Sequence, residues 1–240
     1  MLAHAIPQPT QTTTHSIDAF TLAEQQRIVA AARESDIINA LGIALCFYTG
    51  IRLGELCGLH WQDIDLSAGT IHIKRTMQRI ANTQSDSETT GSAKTRMATL
   101  DYNGQAPERT LHLPQFVTTL LQKYQPITND TVCELEPLPA QDAVPVATYV
   151  ISRQGEPIEP RNMQYRFKAL QKRAEVSPRK FHAIRHTFAV RAIESGCDLH
   201  TLSELLGHTS LQMTEKHYAH VARQARRWGM DAMVESMEVG

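Results

Sequence analysis

The stretch FHAIRHTFAVRAIESG, Phe181–Gly196, decides how the chain is read. Phe181, Ile184, Phe188, Ala192 and Ile193 recur at three- and four-residue steps, the spacing of an amphipathic helix laid against a core, and Gly196 marks its end. The same winding sets His182 and Arg185, three residues apart, on one face. On their own they read as a solvated pair on a basic helix. Working outward, helical patterns fill most of 161–240, with breaks at Ser177-Pro178, at Gly196 and at Gly207.

Upstream, TLAE (Thr21–Glu24) forms a capping box that starts a helix running to about Arg33. A second helix is predicted in DIINALGIALCFYTG, ending near Gly50, and a short one in RLGELCGLHW. TIHIKRT alternates and is rich in β-branched residues, so it predicts a strand, with RTLHLP as its antiparallel partner. The polar stretch between them, Gln78–Glu108, reads as one long loop. PQFVTTLLQKYQ predicts a helix, 126–147 with its four prolines a loop or linker, and YVISRQGEPIEP a short strand and turn. Residues 1–17, polar and rich in Pro and Thr, read as a disordered leader ahead of one domain spanning 18–240. The expected class is mainly α with a small antiparallel β-sheet.

Composition narrows the function classes. The chain has 240 residues, 42% hydrophobic and 20% charged, with a formal net charge of −1, the profile of an ordinary globular protein. The average hides an asymmetry. Between Arg161 and Arg191 nine Lys and Arg face one acid, Glu175, whereas residues 1–160 hold 11 basic and 17 acidic side chains. Such a basic block suits either a phosphate-facing surface or a solvated helix face. The four cysteines, Cys46, Cys57, Cys133 and Cys197, form no C-x-x-C pair, which fits a reducing cytoplasm. The uncharged run Ile37–Ile51 is shorter than the ~20 residues of a membrane span, and the N-terminus lacks the basic and apolar regions of a secretion signal.

Two further stretches carry polar residues that bear on chemistry. In GIRLGELCGLHW, Arg52 follows a buried helix and Glu55 comes one turn later, a spacing that also suits a plain local ion pair. In LLGHTSLQMTEKHYAH, Gly207 caps a leucine stripe, His208 falls in the next loop, and Ser210 opens a helix carrying Tyr218. His217 and His220 lack the acidic or cysteine partners of a zinc set, so a metal is not expected. Two arginines, several histidines and one tyrosine suit attack on a phosphodiester. Guanidinium forks hold the non-bridging oxygens, histidine moves protons near neutrality, and a tyrosine hydroxyl in a cationic setting is the nucleophile.

TGIRLGELCGLHWQDID, HAIRHTFAVRAIESG and LLGHTSLQMTEKHYAHV, in that order and spacing, resemble the signature boxes of the tyrosine recombinases. This phage integrase family includes the lambda, Xer and Cre site-specific DNA recombinases, and the likeness runs from about Phe20 to Val221. It implies that Arg52 is the first catalytic arginine and Glu55 its acidic neighbour, and that His182 and Arg185 are the H-x-x-R pair. By the same resemblance His208 contacts the scissile phosphate and Tyr218 is the nucleophile that becomes joined to the 3′-phosphate. The family's hairpin lysine, general acid for the leaving 5′-hydroxyl, is best matched by Lys94 in SAKTRM, with Lys74 as runner-up. His186 reads as buried support, and His217 and His220 as packing or surface residues.

The resemblance implies no metal, ATP or other cofactor. It implies double-stranded DNA with a specific recombination site as partner, a homo-tetramer in the synaptic complex, an accessory bending or directionality factor, and no membrane. Location would be cytoplasmic and nucleoid-associated, in a bacterium or phage. The family's usual N-terminal DNA-binding domain has no counterpart in this sequence, which therefore reads either as an excised catalytic domain or as a short single-domain member. Met230, Met233 and Met237 form one helical stripe, suited to a neighbouring protomer or to the chain's own domain. Alternatives to the recombinase are type IB topoisomerase-like relaxation and a catalytically silent DNA-binding module.

Overall fold

The side chain of Thr21 accepts from the amide of Glu24 at 3.2 Å while the Glu24 carboxylate accepts from the Thr21 amide at 2.8 Å, and this reciprocal cap starts α1 (Leu22–Arg33). The computed structural model describes residues 18–81, 95–103, 108–124, 149–153 and 155–238. The expected leader 1–17, the loop 126–147 and Lys94 lie outside them. Asp36 caps α2 (Ile37–Thr49) through the Asn39 amide, and Gly50, in the left-handed region at φ 66°, closes it. After α3 (Leu53–Cys57) and a short 3-10 turn come β1 (Ile64–Asp65), β2 (Thr70–Ile73), β3 (Arg75–Ala81), β4 (Thr95–Asp101) and β5 (Arg109–His112). Then follow α4 (Gln115–Tyr124), the two-residue strands β6 (Ser152–Arg153) and β7 (Glu156–Pro157), α5 (Pro160–Arg173), α6 (His182–Glu194), α7 (Leu199–Leu206) and α8 (Leu211–Glu238). The architecture is mostly helical with small antiparallel sheets, as the sequence predicts.

Two strand expectations need correction. TIHIKRT is not one strand but changes partner at Lys74: β2 pairs with β5, His72 opposite Thr110, while β3 pairs with β4 from Arg75↔Asp101 to Ala81↔Thr95. The long polar stretch is accordingly not all loop. Its flanks form a two-stranded ribbon whose polar side chains carry no strong alternation, so inter-strand pairing rather than a buried face defines it. Arg75 anchors the base of this ribbon. Its buried guanidinium donates to Asp101 Oδ1 at 2.8 Å and to Asp63 Oδ2 at 2.6 Å.

α2 is buried along almost its whole length and packs against α1, α3, α4 and α6. Phe20, just ahead of α1, is wedged edge-on to Phe47 and Phe167 and is covered by the Arg179 guanidinium 4.6 Å above its ring. Burying such a ring is worth about 2 kcal/mol, which ties the start of the fold to α5 and α2. A second, smaller core joins α6, α7 and α8 through Ala189, Ile193, Leu202, Leu206, Tyr218 and Ala222. α6 spans both, with Ala183 and Ile184 in the first and Ala189 and Ile193 in the second. It therefore fixes His182, Arg185 and His186 relative to everything else.

The basic block resolves into two parts. Arg166 pairs with Asp36, Arg173 with Glu34, Arg179 with Asp18 and Glu24, and Arg191 with Glu194, so these cations bind the chain to itself. Lys168 and Lys180 instead line a cleft shared with Arg52, His182 and Arg185.

Candidate active site

α2 and α7 both end in a left-handed glycine, Gly50 at φ 66° and Gly207 at φ 59°. Each turn leaves helix-terminal carbonyls without intrahelical donors and concentrates partial negative charge there. Arg185, on α6, bridges the two ends, donating from Nη1 to Gly50 O at 2.9 Å and from Nη2 to Leu206 O at 2.6 Å. Arg52 Nη2 donates to Gly207 O at 2.8 Å, and Arg109 Nε to Leu205 O at 2.8 Å. Three guanidinium groups from three distant segments thus hold three consecutive carbonyls at the end of α7. This contact sets the position of the loop carrying His208.

Glu55 ties the cluster together. Fully buried, it accepts from Arg52 Nη1 at 2.9 Å and the Arg52 amide at 2.7 Å, from Arg109 Nη1 and Nη2 at 3.0 and 2.8 Å, and from the Tyr102 hydroxyl at 2.7 Å. Burial alone would raise its pKa. The hydrogen bonds and charge of Arg109, then the charge and amide of Arg52, outweigh it and hold the carboxyl down at about 2. Tyr102, buried against that carboxylate, is pushed up in the opposite sense by burial and by the charge of Glu55, so its hydroxyl remains a donor. Burial and the neighbouring Arg52 lower Arg185 to about 9, which leaves it cationic at neutral pH.

The imidazoles around this cluster are neutral. His208 and His182 are each lowered to about 4, first by burial, then by nearby groups that include Arg185 and Arg52. His208 Nδ1 lies 2.7 Å from Oγ1 of the fully buried Thr214, a contact that orients the ring from the first turn of α8. Tyr218 is 2% exposed, and burial pushes its phenol up to about 12 against the opposing pull of Arg185.

The structure brings Arg52 and Arg185 into direct contact with the end of α7 that leads to His208, ties Glu55 to Arg52, and sets His182 in the same cleft as the two arginines. The hydroxyl of Tyr218 is 2.7 Å from His186 Nδ1, and Arg185 reaches it as a charge. His217 packs beside it: its ring centroid lies 6.2 Å from that of Tyr218 and 6.5 Å from that of His186, which in turn meets His182 edge-on at 4.6 Å. Among the described residues, His220 makes none of these contacts. Lys74 is held by Asp63 Oδ1 at 2.9 Å. Arg109, Tyr102 and Thr214 were not singled out in the sequence. Arg109 sits in RTLHLP, read there only for its strand pattern, and no local spacing links it to Glu55.

The family model matching residues 19–225 describes the phage integrase family. A tyrosine recombinase XerC-like protein of Caldanaerobacter subterraneus subsp. tengcongensis is 31% identical over 206 residues, 85% of this chain and 51% of its own length. Tyrosine recombinase XerA of Thermococcus kodakarensis is 26% identical over 200 residues, 82% and 56% of the two lengths. The chain thus spans about half the length of the curated relatives it matches. The fold is similar to that of the Tn1549 transposon integrase in complex with transposon right end DNA, with TM-score 0.66 and 21% identity over 92% of this chain and 67% of that one. It is also similar to XerA recombinase, with TM-score 0.61 and 20% identity over 91% and 64%.

Proposed function

The chain belongs to the phage integrase family, and from that premise we propose that it cuts and rejoins double-stranded DNA at a specific site through a covalent 3′-phosphotyrosyl intermediate. The observation that carries this reading is the meeting of Arg52 and Arg185 at the end of α7, beside His208 and within the electrostatic reach of Tyr218. Each guanidinium commits two donor nitrogens to the protein and keeps further N–H groups for the non-bridging oxygens of a phosphodiester. Held in place by these contacts, they meet the charge of a pentacoordinate transition state without reorganising. Glu55 keeps Arg52 aimed. His208, neutral and oriented by Thr214, donates from its other nitrogen to the phosphate.

Tyr218 attacks phosphorus, the P–O5′ bond breaks, and the ester preserves the bond energy, so rejoining needs neither metal nor ATP. His182 serves proton transfer in the cleft. Lys94 protonates the leaving 5′-oxygen; the ion pair of Lys74 with Asp63 supports that choice. Residues 18–240 make up the catalytic domain. Its partners are DNA, three further copies in the synapse and an accessory bending or directionality factor, in the bacterial cytoplasm at the nucleoid. Among the described residues no helix is long and apolar enough to cross a membrane.

Incubation with nicked duplexes of randomised sequence should trap an SDS-resistant protein–DNA adduct, with the modified peptide containing Tyr218. Tyr218→Phe should abolish the adduct and leave DNA binding nearly unchanged; an adduct that survives the substitution rules out this nucleophile. Relaxation of plasmids without any preferred cleavage site would instead identify topoisomerase-like action. A 5′-phosphorothiolate leaving group should rescue Lys94→Ala.

A further inference from the structure

Tyr218 is nearly sealed from solvent, so water is poorly placed to take its proton. Among the described residues the hydroxyl has one hydrogen-bond partner, Nδ1 of His186, at 2.7 Å. That distance suits a phenol donating to a bare imidazole nitrogen, with the ring proton on Nε2. His182, the histidine of the H-x-x-R pair, meets His186 edge to face but makes no hydrogen bond to the phenol. We propose that His186 is the catalytic base that removes the hydroxyl proton of Tyr218 during attack and returns it when the strand is rejoined. This inference rests on the reading of Tyr218 as nucleophile.

The surroundings of His186 suit the task. Arg185 and His182 on α6 and His217 on α8 are its cationic or titratable neighbours, while the charge of Asp18 reaches it from the segment ahead of α1. Half-burial, His217 and Arg185 lower its pKa, so the ring is neutral and able to accept at pH 7. Asp18 acts in the other direction and stabilises the imidazolium once formed; its carboxylate is itself anchored on Arg179 at 3.0 Å. In the step, the Oη–H bond of Tyr218 breaks as Nδ1–H forms on His186. Oη bonds to phosphorus, and the P–O5′ bond breaks with its oxygen taking a proton from Lys94. Rejoining runs the same transfers backwards. His186 lies one residue beyond Arg185, so the helix that holds the phosphate-binding guanidinium also places the base.

Single-turnover adduct formation on nicked DNA, measured from pH 6 to 9.5, tests this with His186→Phe and His186→Asn alongside the unaltered protein and Tyr218→Phe. Asn places an acceptor oxygen near the position of Nδ1 but has no basicity. Both His186 variants should bind DNA with unchanged Kd, cleave roughly 100-fold or more slowly at pH 7, and speed up about tenfold per pH unit toward the phenol's own pKa. The unaltered protein should level off in that range. Near-normal cleavage by His186→Asn would reduce the residue to positioning and overturn the proposal, as would a variant rate that parallels the unaltered profile. Faster cleavage by His186→Phe would show that the contact restrains the tyrosine, which also overturns it. An adduct in Tyr218→Phe defeats the nucleophile reading itself, and is distinguished by that variant alone.

Discussion

Arg109 and Glu55 meet fork to fork, Nη1 to Oε1 at 3.0 Å and Nη2 to Oε2 at 2.8 Å, with both side chains buried. The pair joins strand β5 to helix α3, and through Arg109 Nε to the end of α7, so it braces the framework on which Arg52 and His208 sit.

Arg109→Ala leaves a buried carboxylate short of its closest counter-charge and should destabilise the fold by about 3–5 kcal/mol in urea unfolding. Arg109→Lys should recover little, because an ammonium cannot span both oxygens. Combining Arg109→Leu with Glu55→Gln should cost less than Arg109→Ala, since the unpaired charge is then absent.

Acid should unfold the protein in two stages. His182 and His208 have folded pKa values of about 4, below the ordinary 6.5, so the unfolded chain binds more protons between those values and stability falls as pH drops from 6.5 to 4. Glu55, held at about 2 against 4.5, contributes roughly 3 kcal/mol that is present above pH 4.5 and lost as pH falls through 2. Glu55→Gln should therefore be less stable at pH 7 yet lose less between pH 4.5 and 2. Thermal melts across this range check both limbs.

Gly207→Ala should be worse than Gly196→Ala. Both positions have positive φ, 59° and 93°, which costs a β-carbon about 1–2 kcal/mol. At Gly196 the added carbon meets nothing within 4 Å, whereas at Gly207 it comes 2.6 Å from Arg109 Nη1, an atom already committed to Glu55. Gly207→Ala should lower both the melting temperature and adduct yield, and Gly196→Ala chiefly the former.

Thr214→Val keeps the side chain's outline but removes the oxygen beside His208 Nδ1, which should cost about 1 kcal/mol and slow adduct formation several-fold. Thr214→Ser should restore the rate. Equal rates for all three proteins would show that the contact does not orient His208.

The helices of this protein were legible in the sequence because their signals are local, and the proposed active-site residues because three separated motifs resemble the family's signature boxes in order and spacing. The leucine stripe ended by Gly207, the capping box at Thr21 and Glu24, and the three-residue step from His182 to Arg185 need only a few neighbouring positions. β3 and β4 were not, because their polar sequences carry no alternation and their pairing spans a long insertion. Lys94 lies outside the described residues, so its place rests on resemblance.

By itself the sequence determined the mainly helical class and the three motif boxes, whose resemblance to the family's proposes Arg52, Glu55, His182, Arg185, His208 and Tyr218. Only the tertiary structure decided what these groups touch. Arg109 reaches Glu55 across 54 positions, Arg185 reaches Gly50 across 135, and Arg52 reaches Gly207 across 155. It was also the packing of α8 on α6 that gave the hydroxyl of Tyr218 to His186. A helical period records which face of a segment is buried, but the partner of a buried charge or hydroxyl is set by which distant segment closes over it.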